Sequence, residues 1–259
     1  MSLLSAEHLD KTYYLGKSCI HALSDVSFSL QKGESLGIVG ESGSGKTTLS
    51  RILTLLERPD SGHVLLNGTN IERAEGKARQ AVYRSVQLIF QNPALSFQPR
   101  WTVWKSLQQA ARNFGIPGAE IPVRIRSLAQ GAGLKEALLD HYPHALSGGE
   151  CQRAALIRAL LPGPEVLICD EATSALDAAT GGQILSLLEQ VSGEQHIALL
   201  VISHDLAVVD RLCSRTIVLQ EGRTVEEGPT RQLMRSPEHA YTKLLLSSAG
   251  LWEEKEGQR

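Results

Sequence analysis

Three groups of residues in this sequence have the types and spacing to do chemistry on phosphates. The first is Gly40-Glu41-Ser42-Gly43-Ser44-Gly45-Lys46-Thr47, a glycine-rich loop of the form G-x-x-x-x-G-K-[ST]. Glycines let a backbone curl until successive N–H groups point inward as an anion-binding nest. A helix beginning near Lys46 and running on through Thr48 adds the positive end of its dipole. Lys46 then places a charge on the outer phosphates, and the Thr47 hydroxyl is a ligand for Mg²⁺.

The second group is Val166-Leu167-Ile168-Cys169-Asp170-Glu171, an apolar run ending in two carboxylates. A strand that delivers Asp170 to the edge of a sheet supplies a metal-binding carboxylate, and Glu171 beside it is placed to polarise an attacking water. The third is Leu146-Ser147-Gly148-Gly149-Glu150, leading into a helix over 152–161 that carries Arg153 and Arg158. A serine and two glycines at a helix N-terminus form either a second anion site or a plain N-cap, and residue types alone do not separate the two.

Short apolar runs and helical-period stretches alternate around these groups. Residues 26–30 alternate in polarity and lead through Gln31-Lys32-Gly33-Glu34 into 35–39, which reads as a hairpin. Strands are expected at 35–39, 86–90, 166–169, 197–202 and 216–219, with helices at 48–56, 152–161 and 183–191. That alternation predicts an α/β domain with a largely parallel core sheet. The section from Pro93 to Leu146 lacks strand signals and carries helical stretches at 103–114 and 122–131, so it reads as an inserted helical lobe. The expected division is a core of 1–92 and 151–259 with a lobe of about 93–150, ending in a polar, frayed 253–259.

A formal charge of -2 on 259 residues offers no electrostatic case for nucleic acid. Cys19, Cys151, Cys169 and Cys213 are scattered without a CxxC pair, which suits a reducing compartment. No apolar run approaches the roughly 20 residues of a membrane span. His141 and His144, with Cys151 nearby, invite a metal reading, but Pro143 between them weakens any helix there, and a structural or solvent-facing role is expected. Trp101 and Trp104 are expected to pack the lobe or face a partner.

The order of the phosphate loop, Gln91, Leu146–Glu150, Asp170-Glu171, Ser174-Ala175-Leu176-Asp177 and Ser203-His204-Asp205 resembles the nucleotide-binding subunit of ATP-binding cassette transporters over nearly the whole chain. The resemblance implies a P-loop NTPase core, an antiparallel β subdomain, and ATP with Mg²⁺ as ligands. It implies that Tyr13, or Tyr14 beside it, stacks on adenine, and that Gln91 joins Thr47 and Asp170 around Mg²⁺. Glu171 and His204 become catalytic with Lys46, Ser147-Gly148-Gly149-Glu150 meets ATP held by a second subunit, and Asp177 crosses the dimer interface. The family's usual LSGGQ has Glu150 at its last position here; a carboxylate beside phosphates repels them, so Glu150 is expected to point away or pair with an arginine.

The segments Phe90–Val103 and Ser236–Leu245 resemble those of oligopeptide, dipeptide and nickel importers, and the chain length leans towards the nickel or metal-chelate members. The implied setting is the cytoplasmic face of a bacterial inner membrane. The implied partners are a second, paralogous ATPase chain, two permeases and, indirectly, an extracytoplasmic substrate-binding protein. The competing reading is a soluble cassette ATPase without a permease.

Overall fold

A run buried on both faces and a run buried on one face build different sheets, and this chain contains both kinds. The computed structural model describes residues 2–16, 18–172 and 176–252. The expected polar end at 253–259 and the motif residues Ser174 and Ala175 lie outside the described residues. The strands are β1 (Leu4–Leu15), β2 (Ser18–Leu30), β3 (Ser35–Val39), β4 (Ser61–Leu66), β5 (Thr69–Asn70), β6 (Val86–Ile89), β7 (Val166–Asp170), β8 (Ala198–Ser203), β9 (Arg215–Gln220) and β10 (Arg223–Pro229). The helices are α1 (Lys46–Leu53), α2 (Gly76–Ser85), α3 (Val103–Asn113), α4 (Ile121–Gly131), α5 (Gly148–Leu160), α6 (Ala178–Gln195), α7 (Leu206–Leu212), α8 (Thr230–Arg235) and α9 (Ala240–Ser248).

The chain forms two compact units, one of residues 1–73 with 199–259 and the other of residues 74–198. In the first unit, β2, β1, β4 and β5 form an antiparallel sheet in that order. A second group places β3 between β8 and β9, both parallel to it, with β10 antiparallel on the outer side of β9. The α/β class with an antiparallel β subdomain therefore holds.

The hairpin expected from 26–30 and 35–39 does not form. β2 pairs with β1, whereas β3 pairs with β8 and β9. Burial explains the difference: Val26, Phe28 and Leu30 are buried while Ser27 and Ser29 between them are not, so β2 suits a sheet with one covered face. β3 is buried from Leu36 to Val39, which suits a parallel sheet covered on both sides. Arg215 of β9 ties the two sheets at this point, bonding Glu34 at 2.8 Å and also the Ser29 carbonyl.

The second unit pairs β6 with β7 in parallel. Between them, residues 93–150 contain no strand among the described residues; they hold α3, α4, and 3₁₀ turns at Pro93–Ser96, Glu136–Asp140 and Pro143–Ala145. Thr102 starts α3 by accepting from the Lys105 N–H at 3.2 Å, and Val103 N–H reaches the His141 carbonyl at 2.9 Å. Arg153 of α5 bonds the Ala132 carbonyl after α4 and, at 2.7 Å, Gln183 of α6.

Ile38, 0% exposed, lies between Ile202 and Ile217 on the neighbouring strands. Ile38→Ala is expected to cost about 2–5 kcal/mol, read as a lower urea midpoint at unchanged slope. A loss below about 1 kcal/mol would show that β3 is not held in a close-packed core.

Candidate functional site

β3 ends at Val39, and the glycine-rich loop turns at once. Gly40 has φ 156°, and a Cβ there would lie 2.2 Å from the Leu219 carbonyl oxygen. Gly45 has φ 105° and would bring a Cβ within 2.3 Å of the Ala22 oxygen. Only glycine fits either place. Gly222 N–H holds the loop from outside by donating to the Ser44 carbonyl at 3.1 Å.

Lys46, 7% exposed, folds its ammonium into this curl. Its Nζ donates to the carbonyls of Gly40 and Glu41, both at 2.7 Å, and to Ser44 Oγ at 3.3 Å. α1 starts from Gly45 with no side-chain cap and no acid in its first turn. The first turn itself thus carries no carboxylate to compete for its N–H groups, which suits an anion site. Glu41, Ser42, Gly43 and Thr47 are exposed, and Thr48 is half-buried.

The register of the parallel strands places a second group at the same edge. Val39 pairs with Ser203, so Gly40 and His204 follow paired residues on neighbouring strands. His204 is exposed at this turn. Ser203 Oγ accepts from Asp205 N–H at 3.0 Å, and the Asp205 carboxylate caps α7 through Ala207 N–H at 2.9 Å. Asp205 thus fixes the turn that presents His204.

The second unit repeats this logic. Ile89 pairs with Cys169, so Gln91 and Glu171, each two residues further on, leave one edge of that strand pair. Asp170 is buried at 8% exposure, while Gln91 is exposed. Glu171 has φ 53°, a left-handed conformation that a non-glycine residue holds only at a cost of about 1–3 kcal/mol. Cys169 just before it is no nucleophile, because burial, with the charge of Asp170 adding, pushes its thiol up to about 12.

Ser147 begins α5 with a capping box. Its Oγ accepts from Glu150 N–H at 3.3 Å, while the Glu150 carboxylate accepts from both Ser147 N–H and Ser147 O–H at 2.9 Å. Of the two expectations, pointing away or pairing with an arginine, the second does not hold: the glutamate turns back on its own helix cap, and Arg153 is engaged with Ala132 and Gln183. These two Ser147 donors hold the Glu150 carboxyl below its ordinary value. Gly149 packs against α6, where a Cβ would lie 2.2 Å from Thr180 Cγ2. Asp177 caps α6, its carboxylate accepting from Thr180 N–H at 3.0 Å, and it is exposed.

Tyr13 is half-buried with the Lys11 ammonium 5.5 Å from its ring centroid, whereas Tyr14 is 80% exposed. The two are adjacent in β1, so they project to opposite faces. Trp101 and Trp104 lie under Lys105 and Arg126 at 4.7 and 5.5 Å. His144 stacks on Tyr142 at 5.6 Å, and burial pushes the Cys151 thiol up to about 11.

One residue at the loop escaped the sequence reading. The Glu41 N–H donates to the Tyr241 hydroxyl at 2.9 Å, 200 residues along the chain. The Ser236–Leu245 segment stands out in the sequence only by its resemblance to importer sequences, and nothing in its pattern points back to the loop.

A model of the ABC transporter family matches residues 23–174. The glutathione import ATP-binding protein GsiA of Escherichia coli K12 is 42% identical over 235 residues, which is 90% of this chain but 38% of GsiA. The dipeptide transport ATP-binding protein DppF of Haemophilus influenzae is 36% identical over 253 residues, covering 95% of this chain and 77% of DppF. Among solved structures, the dimeric cassette MJ0796 in a post-hydrolysis state with ADP and Pi gives a TM-score of 0.79 at 29% identity, over 88% of this chain and 99% of that one. The cbiO1 protein of Clostridium perfringens, part of the ABC transporter complex cbiONQ, gives 0.78 at 29% identity, over 90% of each chain.

The Glu150 bonds carry a pH signature. Because the folded carboxyl is depressed, its contribution is complete above the unfolded value and is lost as pH falls through the folded one. Glu150→Ala is expected to lower the melting temperature at about pH 7 by an amount that persists to about pH 5 and shrinks below about pH 4. Thermal melts across that range test it; a gap that survives full protonation would exclude the carboxylate as its source.

Proposed function

This chain belongs to the ABC transporter family, and we propose that it is the ATP-hydrolysing subunit of a bacterial importer that takes up peptide-type cargo. The observation that carries the reading is the phosphate loop: a buried Lys46 ammonium held by the loop's own carbonyls, at the uncapped start of α1. The partner reading rests further on the dimeric cassette MJ0796 and on two relatives named for glutathione and dipeptide transport. Those two names favour peptide uptake over the nickel lean drawn from chain length. The soluble, permease-free alternative has no observation in its favour.

ATP is taken as substrate. Tyr13 is favoured over Tyr14 for the adenine because it is fixed, half-buried and backed on one ring face by Lys11. The loop N–H groups and Lys46 hold the phosphates and neutralise charge that develops on the transferred group. Glu171 accepts the proton of the attacking water, and His204 orients that water. The left-handed backbone at Glu171 aims its carboxylate in a way that an extended residue would not. The Thr47 hydroxyl, the Asp170 carboxylate and the Gln91 amide oxygen are the hard oxygen donors that suit Mg²⁺, which supplies charge neutralisation at the phosphates when bound.

Ser147-Gly148-Gly149-Glu150 would complete the site on a second, paralogous subunit, with Asp177 at the interface between them. Closure of the pair would then move the lobe at 93–150 and a permease docked on it, with two permeases and an extracytoplasmic binding protein completing the machine. No helix among the described residues is long and apolar enough to cross a membrane, so docking on the inner face of the bacterial membrane is the arrangement proposed.

Two measurements test this. Glu171→Gln is expected to lower ATP turnover by a factor of about 10² or more while nucleotide binding survives; unchanged turnover would remove Glu171 from the base role. Affinity capture from solubilised membranes is expected to recover a permease with this chain, and recovery from the soluble fraction alone would overturn the importer reading.

A further inference from the structure

We propose that Tyr241 is a positioning residue for nucleotide binding, holding the Gly40–Glu41 peptide so that helix α9 sets the affinity of the phosphate loop for ATP. The proposal rests on the reading of residues 40–47 as the ATP site.

One peptide group carries the argument. Its N–H, on Glu41, donates to the Tyr241 hydroxyl at 2.9 Å. Its carbonyl, on Gly40, accepts from Lys46 Nζ at 2.7 Å. The plane of that single peptide therefore aims one of the acceptors that hold the Lys46 ammonium, and Tyr241 bonds the other end of the same peptide. Hydrogen bonds at the two ends of one amide polarise each other, so the pair acts as a unit. Glu41 is exposed, and water could satisfy its N–H equally well. The tyrosine contact thus adds geometry more than satisfaction.

Tyr241 is itself firmly placed. It is 8% exposed, in a helix whose Leu245 and Leu246 are buried. Its N–H donates to His239 Nδ1 at 3.2 Å, which caps α9. The Glu226 carboxylate on β10 accepts from Glu238 N–H at 2.9 Å and His239 N–H at 3.0 Å. β10 pairs with β9, whose Leu219 carbonyl is the group that crowds Gly40. The first peptide of the loop is therefore held between the Leu219 carbonyl on one side and the Tyr241 hydroxyl on another. A loop pinned before the ligand arrives loses less freedom when it binds.

The test is titration of the full chain with the fluorescent analogue mant-ATP, alongside steady-state ATPase and thermal melts. Tyr241→Phe keeps the ring and removes the oxygen. It is expected to raise the mant-ATP Kd about threefold to tenfold, with kcat at saturation within about twofold and a melting temperature lowered by no more than about 4 °C. A Kd within about twofold of the parent, with Lys46→Ala having lost binding, overturns the role of Tyr241 and leaves the ATP site standing. Lys46→Ala binding as the parent does overturns the site and this proposal with it. Glu226→Gln loosens the anchor of His239 without touching Tyr241 and is expected to weaken mant-ATP binding in the same direction. A fall in its melting temperature with no change in Kd would show a purely structural role and overturn the proposal.

Discussion

A methyl group at Gly40 would collide with the Leu219 carbonyl, and one at Gly45 with that of Ala22. At both ends of the loop, backbone therefore approaches backbone too closely to admit a Cβ. That closeness lets the curl gather the carbonyls of Gly40 and Glu41 around the Lys46 ammonium. It also leaves α1 to start without a side-chain cap, whereas Ser147, Asp177, Asp205 and His239 close the starts of α5, α6, α7 and α9. α2, α4 and α8 also start without a side-chain cap, so what sets α1 apart is the glycine-rich curl that precedes it.

The contrast with α5 bears on the second anion site. There the serine and the glutamate satisfy each other, so an incoming phosphate must displace an internal carboxylate from two donors of Ser147. Plain cap and anion site were the two readings open in the sequence. The structure shows the cap. Asp177 is similar, spending its carboxylate on the start of α6.

Much of this was legible in the sequence because strands buried on both faces leave unbroken apolar runs. The strands at 35–39, 166–169 and 216–219 were all visible, and with them the residues at their ends. The hairpin at 26–39 misled because a Gly-containing turn between two apolar runs looks alike whether the runs pair or part. The deciding signal was the alternating burial of β2 against the continuous burial of β3. α1 ends at Leu53, short of 56, because Leu55 turns to φ 56°, a backbone choice that no hydrophobic period encodes. Tyr241 was invisible for a further reason: a hydrogen bond across 200 residues has no local trace. The left-handed Glu171 was likewise beyond reach, since nothing in an Asp-Glu pair announces its φ.

The four cysteines divide unevenly, with Cys19 exposed and Cys151, Cys169 and Cys213 buried. Burial raises the thiols of Cys151 and Cys169 out of the range in which they form thiolates at neutral pH. Cys19 sits opposite Tyr14 in the β1–β2 register, one residue from the tyrosine favoured for adenine stacking. The chain thus carries its own exposed handle for a maleimide dye on the strand that pairs with Tyr13 and Tyr14. Burial of the other three leaves that position the one exposed thiol among the described cysteines, so a single label needs no cysteine engineered in or out.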